Sequence, residues 1–124
     1  MTAAVFDTDI VVDALRGVAG AHGELLRYAN RYISRLTWLE VMALAMPDDA
    51  GRAESYLEHF RVIELNEDIA RQASVLRSQR RRIKAIDAIV LASAQSTGRI
   101  LVTRNITDFP AEMPGIRIPY TLKD

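Results

Sequence analysis

Residues 83–109 read IKAIDAIVLASAQSTGRILVTRNITDF, and their reading decides the fold. An apolar helix carries one acid, Asp87, at its start and closes at Gly98. A short buried strand, Ile100 to Val102, follows and runs into a polar turn, Thr103 to Asp108. Helix, glycine stop and buried strand in that order are one half of a parallel α/β unit. A helix start and a strand-end turn thus each deliver a carboxylate.

Working outward, the same alternation covers the chain. Ala3 to Phe6 is an apolar strand ended by Asp7-Thr8-Asp9, and a short helical stripe through Leu15 stops at Gly17. The pattern predicts helices over residues 21–29, from Thr37 to Pro47, over 53–60, and from an Asn66 cap to Arg82. Strands are expected at Tyr32–Ser34, Val62–Leu65 and Ile116–Ile118, the last at a sheet edge because Pro119 follows. Short strands separated by helices argue for an α/β fold: a short, mostly parallel central sheet with helices on both faces. Residues 1–124 read as a single domain, with functional loops at the carboxyl ends of the strands.

Composition narrows the chemistry. The 124 residues contain no cysteine, which excludes disulfides and thiolate metal sites and suits a reducing cytoplasm. The two histidines, His22 and His59, lack metal-ligand spacing. No signal peptide or bilayer-spanning run is visible, so no membrane is expected. The charges balance at 16 basic and 16 acidic residues, so any nucleic-acid contact must come from local clustering. Arg80, Arg81, Arg82 and Lys84 form such a cluster just ahead of Asp87. They suit phosphate contact, and equally a solvated helix end.

Each acid has a purely structural explanation. Asp7 or Asp9 caps a helix; Thr37 and Glu40 form a T-x-x-E capping box; Asp87 caps its own helix; Asp108 serves a turn. Together they say more. Two acids one residue apart after an apolar strand repel unless a cation sits there. Glu40 is the only charge between Trp38 and Met46. Oxygen donors without Cys or a His pair select a hard cation, Mg²⁺ or Mn²⁺, and such a site does phosphoryl chemistry.

Four blocks, VFDTDIVVDALRG, ISRLTWLEVMA, IDAIVLASA and LVTRNITDF, resemble the PIN-domain nucleases and within them the VapC-type toxins of type II toxin–antitoxin systems. The resemblance spans Val5 to Phe109 and implies a PIN-like three-layer fold. It implies Mg²⁺ or Mn²⁺ held by Asp7, Glu40, Asp87 and a fourth acid near the last turn. Many relatives carry that acid where Asn105 stands; this chain offers Asp108 three residues later. Asp9, Thr103 and Asn105 are supporting candidates, and Arg80, Arg81, Arg82, Lys84 and Arg104 are candidate RNA contacts. The resemblance further implies an endoribonuclease with RNA as substrate, a homodimer, and a cognate antitoxin that covers the site.

A second reading is a haloacid-dehalogenase-like phosphatase, whose D-x-D start would make Asp7 a nucleophile. It normally needs a later lysine and a paired-acid motif, and this chain has only Lys84 and Lys123 and a single acid in TRNITDF. A third is a non-catalytic binding module on the same fold.

Overall fold

The computed structural model describes residues 2–110 and 112–122. Among them, five strands form one sheet in the order β3-β2-β1-β4-β5, and every neighbouring pair is parallel. The strands are β1 Ala3–Phe6, β2 Asn30–Ser34, β3 Arg61–Ile63, β4 Ile100–Val102 and β5 Ile116–Arg117. The helices are α1 Thr8–Leu15, α2 Ala19–Leu25, α3 Arg35–Ala45, α4 Ala50–Leu57, α5 Glu67–Gln79 and α6 Ala85–Ser96. This is the expected α/β architecture, and β5 takes the expected edge.

Strand alternation sorts the core onto two faces. Ala4, Phe6, Ile33 and Val102 join Ile10, Val11, Leu25, Val41 and Leu57 from α1 to α4. Val5 and Leu101 point the other way, onto Ile69, Ala73 and Leu76 of α5 and Ala88, Leu91 and Ala92 of α6. The strands therefore read as unbroken apolar runs because both of their faces are covered. The chain moves outward from β1 to β3, then crosses back through α5 and α6 to place β4 on the other side of β1. That reversal opens a crevice beyond the carboxyl ends of β1 and β4.

Gly17 (φ +84°) follows the end of α1 and Gly98 (φ +67°) follows α6, both in the left-handed region that favours glycine at a helix stop. Asn66 caps α5 as expected, accepting from the Ile69 N–H at 2.9 Å.

Several boundaries differ from expectation. Helix α3 begins at Arg35 rather than Thr37, because the Ser34 hydroxyl already caps it by accepting from the Leu36 N–H at 3.1 Å. Thr37 and Glu40 therefore form no capping box. Asp87 is the third residue of α6, not its N-cap, which is Lys84. Helix α5 ends at Gln79, three residues short, where Arg80 leaves the helical region at φ −129°. Helices α2 and α4 end earlier than the apolar stripes suggest. Tyr28 and Phe60, read as their last turns, instead lie beyond them and pack edge-on against Phe6 at 5.5 and 6.1 Å.

Candidate active site

Because β1 and β4 are hydrogen-bonded neighbours, the residues that leave them emerge side by side. The Asp7 N–H donates to the Val102 carbonyl at 2.9 Å. The Asp7 carboxylate accepts from the Thr8 N–H at 2.8 Å and from the Thr103 hydroxyl at 2.7 Å. Asp7 is 5% exposed. Burial first, then the charge of Asp9 and more weakly that of Asp87, raise its pKa to about 7 against those two hydrogen bonds.

Asp9 lies in the first turn of α1 and accepts from the Arg104 N–H at 3.0 Å. Its other oxygen, Oδ1, is buried and meets no hydrogen-bond donor among the described residues. Burial also raises the Asp9 pKa. A buried carboxylate oxygen without a donor is costly unless a cation faces it.

Glu40, half-buried on α3, accepts from the Thr8 hydroxyl at 2.6 Å. The lone acid of this apolar helix thus points at the end of β1 instead of capping its own helix. Asp87 reaches the crevice from the first turn of α6. Burial, then the adjacent Asp108, then Glu40 raise its pKa to about 7.

One cavity of about 330 Å³ gathers Asp7, Asp9, Glu40 and Asp87, and Asp13, Arg16, Arg104 and Asn105 line it with them. Asp108 lies outside that lining. Its turn closes as a helical one, with the Phe109 N–H on the Asn105 carbonyl at 3.0 Å. The Asn105 amide donates to Asp108 at 3.0 Å and accepts from the Asp108 N–H at 3.2 Å. Hydrogen bonding from Asn105 first, with Asp87 beside it, lowers the Asp108 pKa. Thr103 holds the turn as well, accepting from the Asn105 N–H at 3.0 Å.

The acids come from separate walls, and among the described residues no three His, Cys, Asp or Glu side chains form a finished cage for a metal ion. The donor chemistry nevertheless fits a hard cation: oxygen atoms only, one of them without a donor, and two carboxylates whose charge is disfavoured as they stand.

The arginines divide. Arg104 makes a bidentate pair with Asp13, at 2.6 and 3.0 Å, and the Tyr120 hydroxyl donates to the same carboxylate at 2.6 Å. Its guanidinium is committed to that buried acid, while its backbone serves Asp9. Arg80, Arg81 and Arg82 line a second cavity of about 380 Å³ together with Thr107 and Asp108. Lys84 stands at the N-cap of α6 and lowers both Asp87 and Asp108. Lys123 lies outside the described residues.

Sequence reasoning missed Thr8 and Asp13. The available signal for Asp13 was its position four after Asp9, which puts both acids on one helix face. His22 and His59, distant in sequence, line one cavity beside Tyr56. They stand away from the acids.

The described residues contain no helix long and apolar enough to cross a membrane. No curated protein matches the chain. A chain from a toxin–antitoxin complex of Klebsiella pneumoniae is similar at 37% identity and TM-score 0.90, covering 96% of this chain and 99% of that one. FitAcB from Neisseria gonorrhoeae (21% identity, TM-score 0.78, 95% and 99% covered) shares the fold. So does VapBC2 from Rickettsia felis bound to a DNA fragment from their promoter (18%, 0.75, 93% and 96%). The PIN domain family matches residues 4–110, nearly the whole of the described structure, and this chain therefore belongs to the PIN domain family.

Proposed function

We propose that this chain is the toxin of a type II toxin–antitoxin pair and an endoribonuclease that depends on Mg²⁺ or Mn²⁺. It works in the cytoplasm, as a homodimer, until a cognate antitoxin covers the site. The carrying observation is the acidic cavity at the β1–β4 crevice, where Asp9 Oδ1 is buried without a donor beside Asp7, Glu40 and Asp87. The 37% identity to a chain of a toxin–antitoxin complex supports the biological setting.

Asp7, Asp9 and Asp87 would hold the cation directly, and Glu40 would do so or orient water from its Thr8 contact. When bound, the cation supplies the charge that offsets a phosphodiester and the acidity that readies water for attack. The chain's own residues fix the oxygens. Thr103 and the Thr8 N–H lock the Asp7 rotamer, and the Arg104 N–H holds Oδ2 of Asp9. Asp108 acts beside Asp87, outside the cavity, with Asn105 holding it there.

The phosphatase alternative is not favoured. The PIN domain family matches residues 4–110, and the turn after β4 carries a single acid, Asp108, where such a phosphatase needs a pair.

Cleavage of end-labelled RNA tests the reading. Water attack leaves a 5′-phosphate and a 3′-hydroxyl, and EDTA should stop it. A 2′,3′-cyclic phosphate, or full activity in EDTA, would overturn the metal mechanism.

A further inference from the structure

The segment Arg80–Lys84 joins α5 to α6 and is held in one shape. The Arg80 N–H donates to the Leu76 carbonyl at 2.9 Å, and the Ile83 N–H to the Arg80 carbonyl at 3.1 Å. Arg77 Nε donates to the Ile83 carbonyl at 3.2 Å, and the Ile83 side chain is 2% exposed. Arg80, Arg81 and Arg82 are therefore displayed on a pinned loop, and all three are exposed.

Fold stability does not account for three adjacent guanidiniums there. Like charges at this spacing repel. The cation that helps a helix C-terminus is supplied already by Arg77 in the last turn of α5. Among the described residues none of the three forms a salt bridge, although Arg35, Arg52, Arg71, Arg104 and Arg117 all do. Among the described residues the one acid in their cavity, Asp108, is turned toward Asn105 and Asp87.

The position matters as much as the charge. Asp87 lines the acidic cavity, Asp108 lines the arginine cavity, and the two carboxylates stand side by side. The two cavities are thus neighbours.

We propose that Arg80, Arg81 and Arg82, with Lys84, form a phosphate track that holds the RNA strand beside the acidic cavity. The track rests on RNA being the substrate. Guanidinium forks match phosphate oxygens, and a row of equal charges suits a repeating backbone rather than one acidic side chain of a protein partner. Contacts of this kind fix where the strand lies without reading its sequence.

The test is equilibrium binding of a fluorescent single-stranded RNA to the full chain in an Asp7→Asn background, across a salt series. Each phosphate neutralised on a single strand contributes a slope of about 0.7 in log K against log salt. Changing Arg80, Arg81 and Arg82 together to Gln should lower the slope by about 2 and weaken binding at least about tenfold at low salt. A charge-matched control, Arg27, Arg61 and Arg71 to Gln, should keep the slope, and melting curves confirm that both triple variants are folded. An unchanged slope in the first triple variant, equal losses in both, or no RNA binding at all would overturn the track. Failure of the wild-type chain to cleave RNA with Mn²⁺, while the salt slope persists, would instead count against the cleavage reading alone.

Discussion

The Thr103 hydroxyl donates to Asp7 at 2.7 Å across 96 positions of sequence, and both side chains are buried. That bond ties the ends of β1 and β4 together at the centre of the crevice. It also holds the Asp7 pKa below where burial alone would put it.

Thr103→Val keeps the shape and deletes the donor. It should cost about 2 kcal/mol at pH 8, as for a hydrogen bond to a charged group. The acid limb of the pH–rate profile should move to higher pH, because Asp7 loses a bond that favours its charged form. Thr103→Ser should restore both. Denaturant titration and a rate profile on the same samples check this.

Ser34 and Glu40 separate helix capping from the site. Ser34→Ala removes the α3 cap and should cost about 1 kcal/mol with turnover retained. Glu40→Gln caps nothing, so its stability should stay near wild type while turnover falls at least tenfold. Melting temperature and RNA cleavage measured together decide it; normal turnover in Glu40→Gln would confine that residue to its Thr8 contact.

Asp7 and Asp87 are both raised to about 7, mainly by burial. Between the unfolded carboxylate pKa near 4 and that value, the folded chain binds more protons than the unfolded one. The sign follows: without divalent cations these groups stabilise the fold less as pH rises from about 4 to about 7. Asp7→Asn should therefore stabilise the metal-free chain at pH 8, by a few kcal/mol at most, and do little at pH 4. Excess Mg²⁺ or Mn²⁺ should raise the melting temperature of the wild type and not of Asp7→Asn. Equal stability of the two chains at pH 8 would contradict the raised pKa.

Arg104→Ala leaves a buried Asp13 with the Tyr120 hydrogen bond and the nearby Arg16 charge, and should cost about 3 kcal/mol. Arg104→Lys should recover part of this through one ion contact, though not the bidentate fork. Urea midpoints for the two variants check the order; equal midpoints would mean that the fork adds nothing.

The sequence made the architecture legible where two signals agreed. Ala3–Phe6 and Ile100–Val102 were apolar runs closed by polar turns, and the sheet buries both on two faces. It was ambiguous where one residue type serves two purposes. Thr37 with Glu40 satisfies a capping pattern, yet Ser34, one residue before the helix, does the capping and frees Glu40 to reach Thr8. Tyr28 falls within an expected helix and Phe60 continues a helical stripe in sequence, but both pack onto Phe6 beyond the helix ends. The Asp13–Arg104–Tyr120 cluster was not legible, because its members are brought together only by the sheet order and the run of chain after β5. Spacing favours Asp108 as the fourth carboxylate, with Asn105 and Thr103 positioning the turn. The closed turn puts Asn105 at the cavity wall and Asp108 behind Asp87.

The position of the bound cation decides whether the acidic cavity is the metal site. Crystals of the chain grown with Mn²⁺ and measured at the manganese edge locate it directly through anomalous scattering. The account predicts a peak in the acidic cavity, about 2.2 Å from carboxylate oxygens of Asp7 and Asp87 and close to Asp9 Oδ1. No peak in that cavity, or a peak held by Asp108 on the arginine side, would contradict it.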